Sequence, residues 1–505
     1  MNYPVWEVVF GSRWIIAVIG VIHVFIAQFA VGGGLFLVLT EGRARKSEDP
    51  ALLEWLKKHT RFFTFLTLVF GATTGVGIWF TIGLISPEAT SHLIHLFVWV
   101  WAIEWVFFLV EILAIIVYNR TWVSRVSRRQ HMLIGWIYFA AAYLSLVAIN
   151  GILAFQLTPG RWLADHSLLS AFFNPSYWSQ LIVRSLICVV LAGLYALVTV
   201  SWSKDRILKA EVAKYAGTWA WSAAILLLPA GYWFVRSLPK ANEDLVRLIA
   251  SVREASLLFL GATALVAVLV LVVSTVWPRL LGKPYALVLL FMGLCVVGST
   301  EWVRESVRKP YTITDYLYIN HVAVRDLARD RKEGMLAASL WVGEKTITPS
   351  NEAAAGKELF RIACSACHNA VSGSNAVAPR LKGLDAAFVG GLVYRTDLMR
   401  GGMPPFPGTQ QEAQAVARYL LEKAPRGGVP RDGASVWARR CGPCHTLAGS
   451  FRPVGSFFKG QRPDDIAAVI EAINSVNDKM PPWSGSQAEE KALAKFLAAQ
   501  GGRAK

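Results

Sequence analysis

The sequence predicts an all-α protein: a polytopic transmembrane helix bundle of about eight helices, followed by two small all-α domains. Three observations carry that prediction. Of 505 residues 54% are hydrophobic, with 20 Trp and 26 Phe, which is too apolar for a soluble enzyme with a charged surface. About eight apolar runs long enough to cross a bilayer as helix precede residue 304. Beyond them the composition turns mixed, and one short pattern occurs twice, in "FRIACSACHN" and "WARRCGPCHT".

The runs lie near 14–39, 62–84, 93–118, 133–157, 177–202, 217–235, 255–277 and 285–303. They stay apolar on every face, which marks membrane spans rather than surface helices of a soluble core. The start, 1–10, has no basic stretch ahead of its apolar residues, so the first helix is expected to be retained rather than cleaved as a signal peptide. Orientation follows from the loops, because Lys and Arg stay cytoplasmic. The odd-numbered loops are basic: Arg43, Arg45, Lys46, Lys57, Lys58 and Arg61; then Arg120, Arg125, Arg128 and Arg129; then Lys204, Arg206, Lys209 and Lys214; then Arg279 and Lys283. The even-numbered loops are poor in basic residues or, around Glu243, Asp244 and Glu254, balanced by acids. The N-terminus and everything after the eighth run are therefore expected outside. The expected organisation is a membrane domain over 1–322, a linker over 323–349, and small domains over 350–425 and 426–505. The expected location is a bacterial inner membrane, with the small domains periplasmic.

Cys-x-x-Cys-His attaches a c-type haem: the thiols add to the vinyl groups and the His supplies a nitrogen to the iron. Cys364, Cys367 and His368 form one hook, and Cys441, Cys444 and His445 the other. Met403, in "GGMPPFPG", follows His368 by 35 residues, and Met480, in "NDKMPPWSG", follows His445 by 35 residues. A thioether before Pro-Pro at one distance, twice, resembles the sixth iron ligand of a small class I cytochrome c. A zinc site or redox dithiol would explain a single hook but not this recurrence. The expectation is two covalent c haems in an internal repeat of about 75 residues joined near 425–430. Covalent haem attachment takes place outside bacterial membranes, in agreement with the loop charges. From Lys345 onward 21 Lys and Arg face 13 Asp and Glu, a balance that would steer an acidic partner. No nucleic-acid motif is present. Cys188 and Cys295 lie in apolar runs and are expected to be inert thiols.

Ionisable residues at membrane depth are costly and point to function. His23 lies in "GVIHVFIAQFAVGGG". Glu104 and Glu111 lie in "WAIEWVFFLVEILA", two helical turns apart and so on one face. Glu301 and Glu305 end the eighth run, followed by "RKPYTITDYLYINH" with Asp315 and His321.

In this order the motifs resemble subunit I of the cytochrome bd oxygen reductases, over roughly residues 10–320. "SRWIIAVIGVIHVF" is similar to the family's first helix, "FGATTGVGIWFTIG" to its second, "WAIEWVFFLVE" to its paired-glutamate helix, and "RQHMLIGW" with "YLSLVAING" to its fourth. "ESVRKPYTITDYL" resembles the family's Glu-x-x-Arg-x-Pro-Trp-x-Ile-x-Glu-x-Leu, with Tyr311 and Asp315 as departures. The resemblance implies two or more membrane haems of b or d type and a second membrane subunit. It implies that His23 ligates a high-spin haem and that Asp315 ligates a second, with Glu305 as the rival carboxylate. It places Glu104 and Glu111, with Ser145 beside them, on a cytoplasmic proton path. Arg308, of the last motif, and Arg184 are placed beside membrane haems, Arg184 toward a propionate. His92, His95 and His321 are candidates for a third membrane haem. His59 and His131, at the cytoplasmic ends, are expected to be solvated boundary residues.

The departures matter as much. The family's low-spin haem takes a His after an Asn-Pro in the fifth helix, where "FNPSYWSQLIVRSLI" offers Val183 or Arg184. The family's Met partner has no counterpart, because the sixth and seventh runs contain no Met. The family's long quinol-oxidising outer loop is reduced to about 236–254. The expected function is oxidation of a periplasmic donor, a cytochrome c or a partner subunit, through the two c haems, with oxygen reduced to water at the membrane haems. The competing readings are quinol oxidation or nitrogen-oxide reduction by a bd-like complex, and a non-catalytic electron conduit.

Overall fold

A computed structural model describes residues 12–123, 126–248, 250–308, 313–319, 322–340, 342–373, 375–399, 403–425, 432–449 and 452–501. Arg125, Tyr311 and His321 lie outside the described residues. The chain forms two compact units. One comprises Ile15–Gly83 and Pro87–Asp315, and Tyr316–Lys505 makes up most of the other.

The first unit holds α1 (Ser12–Lys46), α2 (Pro50–Ile85), α3 (Pro87–Arg120), α4 (Arg128–Leu157), α5 (Tyr177–Ser201), α6 (Arg206–Arg236), α7 (Ser251–Val276) and α8 (Lys283–Arg308). Each is long and apolar enough to span a bilayer. Several begin well before their apolar runs because their caps sit in the basic loops. Asp49 accepts from the amides of Ala51 and Leu52, Asp205 from those of Ile207 and Leu208, and Ser127 forms a capping box with Gln130. Four irregularities interrupt the regular ladder among the described residues: a π turn at Leu66–Gly71 in α2, a non-helical Phe97 in α3, Pro229 inside α6, and a π turn at Val272–Val276 in α7.

Helices in a bilayer gain nothing from leaving lipid, so they associate through close packing at small residues. α5 is the most enclosed span, with 78% of its apolar window buried. Gly32 of α1 lies against it: a Cβ there would fall 1.9 Å from the Cys188 carbonyl oxygen. Gly193 likewise brings α5 close to α6, where a Cβ would meet the Ala216 carbonyl oxygen at 2.5 Å. The short loop after α6 is itself folded. Its helix Lys240–Leu248 is anchored by Arg236 on Glu243 at 2.7 Å and by Asn242, whose amide donates to the Val307 carbonyl at 2.7 Å.

The second unit opens with a two-stranded antiparallel sheet, β1 (Leu317–Ile319) with β2 (Val322–Ala323). Residues 323–349, expected as a linker, are folded instead. Ile319, Val322, Met335, Leu336 and Val342 are buried in one core with Leu359 and Phe360, and the Leu336 amide donates to Glu412 at 2.9 Å. The physical reason is that this stretch carries enough apolar side chains to complete a core that the short helices after it leave open.

Two similar bodies follow: α9 (Glu352–Ala363), α10 (Ala386–Tyr394) and α11 (Gln410–Lys423), then α12 (Gly433–Arg440), α13 (Pro463–Glu471) and α14 (Gln487–Gly501). The repeat is exact in its contacts. Gly356 faces the Ala415 carbonyl and Tyr419, while Gly433, at the same offset, faces the Ala492 carbonyl and Phe496. Thr409 caps with Glu412 as Ser486 caps with Glu489.

Gly32→Leu should cost about 3 kcal/mol or more through overpacking and prevent assembly of the membrane unit. Gly20→Ala, with nothing within 4 Å of the added Cβ, should be neutral. Thermal unfolding of the purified protein in detergent compares the two.

Candidate functional site

Each hook closes a helix of the second unit: α9 ends at Ala363 before Cys364, and α12 at Arg440 before Cys441. His368 Nδ1 lies 3.2 Å from the Asn375 carbonyl oxygen, and His445 Nδ1 lies 3.2 Å from that of Arg452. A carbonyl only accepts, so both Nδ1 atoms carry the proton. The tautomer thereby directs the Nε2 lone pair outward, as an iron ligand requires. Burial pushes the Cys364 and Cys441 thiols up to about 12. A reactive redox dithiol needs the opposite shift. Met403 and Met480 are half-buried on pinned backbone. Thr396 and Tyr318 donate to the Pro404 and Pro405 carbonyls at 2.6 Å each, and Asn474 donates to the Met480 carbonyl at 2.8 Å.

In the membrane unit His23 Nδ1 lies 3.1 Å from Thr74 Oγ1. The Thr74 hydroxyl spends its hydrogen on the Phe70 carbonyl at 2.5 Å, so toward His23 it accepts. His23 therefore also carries its proton on Nδ1 and presents Nε2 as an acceptor. Gly75 leaves room beside the ring, where a Cβ would come within 3.2 Å of Cε1. The π turn just before Thr74 shifts the register of α2 and brings these two residues to His23.

The antiparallel helices α3 and α4 meet in a polar ladder. Ser145 donates to Glu104 Oε1 at 3.0 Å. Seven residues on in α3, and seven back in α4, the Tyr138 hydroxyl lies 3.2 Å from Glu111 Oε1 and 3.1 Å from the Ala30 carbonyl oxygen. One further heptad joins Tyr118 to His131: Nε2 donates to the Tyr118 carbonyl at 3.1 Å, and the ring centroids are 4.3 Å apart. That last rung holds a buried carboxylate, Glu41 of α1. It receives the Tyr118 hydroxyl at 2.7 Å, Arg45 Nε at 2.5 Å and His131 Nδ1 at 2.9 Å. Both nitrogens of His131 thus face oxygen atoms of neighbouring groups. His131 and His59 are each 1% exposed, which corrects the expectation of solvated boundary residues. His59 hydrogen-bonds Thr199 at 2.9 Å and stacks on Trp55. Tertiary packing against α1 and α5 buries residues that sit just beyond the apolar runs.

Arg184 meets a protein carboxylate, in contrast to the expected propionate. Its Nη2 donates to Glu301 at 3.1 Å, and Arg304 donates to the same carboxylate at 2.7 Å. The void beside Val183 and Arg184, closed by Gln28 and Gln180, measures about 10 Å³, room for one water. Asp315 sits exposed in a left-handed turn with φ 61°, next to Thr314, whose amide donates to the Gln156 carbonyl at the end of α4. Glu305 is half-buried on α8 and bonded to Arg308. His95 is exposed and bonded to the Ser91 carbonyl of its own helix.

Sequence reasoning missed Thr74, Tyr138, Tyr118 and Glu41. The signal for the tyrosines was present: polar residues recur every seventh position in both neighbouring apolar runs.

Comparison with known proteins finds a match within each unit. Residues 12–236 match the family "Cytochrome bd terminal oxidase subunit I". Residues 351–420 and 428–497 each match "Cytochrome C oxidase, cbb3-type, subunit III". No curated protein matches the chain. Its fold is similar to that of the bd oxidase from Geobacillus thermodenitrificans, with TM-score 0.53 and 14% identity over 62% of this chain and 90% of that one. The chain is thus a membrane-integral protein that carries a cytochrome bd subunit I-type domain over residues 12–236 and, after it, two cytochrome c-type domains.

Proposed function

We propose that the protein passes electrons from a periplasmic donor through two covalent c haems to membrane haems at which oxygen is reduced to water, drawing protons from the cytoplasm. The observation that carries this reading is the ladder of paired acids between α3 and α4, in a chain that also bears two haem hooks. The haems, when bound, supply one-electron transfer and the site of oxygen reduction. Cys364, Cys367, His368 and Met403 would hold the first c haem, and Cys441, Cys444, His445 and Met480 the second. His23 would hold a membrane haem through Nε2. Asp315, with Glu305 as the rival carboxylate, would hold a second membrane haem, with Arg308 beside it.

The chain's own groups account for proton handling. Tyr138 has one hydroxyl hydrogen and two acceptors in reach, Glu111 and the Ala30 carbonyl. With Glu111 ionised, Tyr138 donates to it. With Glu111 protonated, Tyr138 turns to Ala30 and accepts from Glu111. Glu111 can therefore gain and lose a proton without leaving a buried donor unpaired, which is what a relay in hydrocarbon needs. Glu104, one heptad further and held by Ser145, continues the line. The donor assignment rests on the Val183–Arg184 region. Where the family resemblance puts a low-spin haem ligand, the space is filled by Arg184, Glu301 and Arg304, and the loop after α6 is a single short helix. Electrons from quinol lose their usual entrance, and the c domains offer another. The N-terminus and c domains lie on the periplasmic side of a bacterial inner membrane in this reading, with a second bd-type subunit as partner.

His23→Ala should remove one membrane haem and leave both c haems covalently attached. Haem extraction with optical spectra decides it, and an unchanged membrane haem content overturns the ligand assignment.

Glu111→Gln should slow turnover by about a hundredfold with all haems retained. Tyr138→Phe should slow it less, since Glu111 remains. Oxygen uptake by the purified complex measures both, and wild-type rates would leave the ladder a structural feature.

Reduced cytochrome c should support oxygen uptake, and Cys364→Ala with Cys441→Ala should abolish it. Uptake sustained by quinol in that double variant would place the electron entrance in the membrane and reverse the proposed route.

A further inference from the structure

The two cytochrome repeats can be compared position by position, because every shared contact keeps one offset: Cys364 with Cys441, His368 with His445, Met403 with Met480, Gly356 with Gly433. At three positions around the hook the second repeat has arginine where the first does not. Arg439 stands for Ile362, Arg440 for Ala363 and Arg452 for Asn375.

All three reach the first domain. Arg439 Nη1 donates to the Lys382 carbonyl at 2.7 Å. Arg452 Nη1 donates to the Leu398 carbonyl at 3.1 Å. Arg440, 8% exposed, lies between the rings of Phe388 from the first domain and Trp483 from the second, at 5.2 and 5.0 Å. Its guanidinium bonds Ser484 at 3.1 Å and lies 3.9 Å from Asp385, which itself accepts from Ser484 at 2.5 Å.

Arg452 is the most telling of the three. Its backbone has φ 41°, and its counterpart Asn375 has φ 60°. Asn tolerates the left-handed region and Arg does not do so readily. Asn375 also uses its side chain locally, donating to the Cys367 carbonyl at 2.9 Å. In the second repeat that local bond is given up and strain accepted, and the side chain spans to the neighbouring domain. Meanwhile the Arg452 carbonyl still receives the proton of His445 Nδ1. One residue thus joins the proximal histidine of the second site to Leu398, five residues before Met403 of the first. The distal side of the second site also touches the first domain: Pro481, next to Met480, would lie 3.6 Å from a Cβ on Gly391.

We propose that Arg439, Arg440 and Arg452 clamp the second cytochrome domain onto residues 382–398 of the first, and that electrons pass between the two c haems across this face. The inference rests on the reading of both hooks as c-haem sites. Arg440 and Arg452 are positioning residues, acting through the orientation of the second site.

The test restores the first repeat's residues in the full-length holoprotein, as Arg440→Ala with Arg452→Asn, and as Arg452→Asn alone. The single change removes strain together with the cross-domain bond, so folding is not put at risk. Haem staining after denaturation reports covalent attachment, redox titration the two c-haem potentials, pulsed EPR the haem–haem distance, and oxygen uptake the throughput from reduced cytochrome c. The expected result is a narrow distance in the wild type that broadens in the double variant. Throughput should fall about tenfold, within the range that small misplacements of reacting groups produce, with both haems attached and the second c haem's potential lowered by the loss of two positive charges beside it. The single variant should move the same way by a smaller amount. A narrow distance retained in the double variant overturns the clamp. A broadened distance with wild-type throughput overturns the electron path. Absence of covalent haem in the wild type would instead sink the cytochrome reading itself, and this inference with it.

Discussion

A carboxylate in hydrocarbon must find its hydrogen-bond partners within the protein, and that constraint organises the membrane unit. Water is not available there, and an unpaired polar group costs several kcal/mol, on the order of a large fraction of a domain's net stability. Glu104, Glu111 and Glu41 are each answered by a side chain on a neighbouring helix: Ser145, Tyr138 and the pair His131 with Tyr118. Because α3 and α4 run antiparallel, a group every seven residues on one meets a group every seven residues on the other. Two turns of helix return to the same face, so one seam carries the whole line. The glycines of α1 then let a third helix close over it. Gly34 lies so near Tyr138 that a Cβ would come within 2.3 Å of the ring, and on the α4 side a Cβ on Gly135 would fall 2.5 Å from Val38 and 2.9 Å from Tyr118.

The same economy explains the Arg184 cluster. Two guanidinium groups and one carboxylate are buried together, which is tolerable because the charges oppose and share hydrogen bonds. The acid they share, Glu301, is a buried structural carboxylate, in contrast to Glu111, whose single bonding partner has an alternative acceptor. Two glutamates in one bundle thus sit among different kinds of partner.

The cytochrome unit follows a different logic. Its helices are short, and each body has a small core around an α9–α11 or α12–α14 pair drawn together at a glycine. Small cores leave little stability to spare. The first body borrows the hairpin and the Met335 helix that precede it, and the second leans on the first through three arginines. The two repeats share hook, methionine and glycine contacts and differ at a few positions beside the hook.

Much of this was legible in the sequence. Eight spans, two hooks, the paired methionines and the repeat all follow from local pattern, because hydrophobic length, Cys-x-x-Cys-His spacing and a 35-residue offset are properties of the chain itself. His23, Glu104, Glu111 and Ser145 were legible because an ionisable or polar residue in an apolar run stands out. Which partner each would meet was not. Thr74 on His23, Tyr138 on Glu111, Glu301 on Arg184 and the burial of His59 and His131 depend on which helix faces lie together, and apolar spans look alike from outside. The folding of 323–349 was hidden for a similar reason: a short mixed segment has no pattern of its own until a neighbouring core offers it a place. The sequence by itself determined the number of apolar spans and the spacing of the two Cys-x-x-Cys-His patterns. Only the tertiary structure decided which charges are paired, because pairing is a property of surfaces brought together and not of the order of residues along one of them.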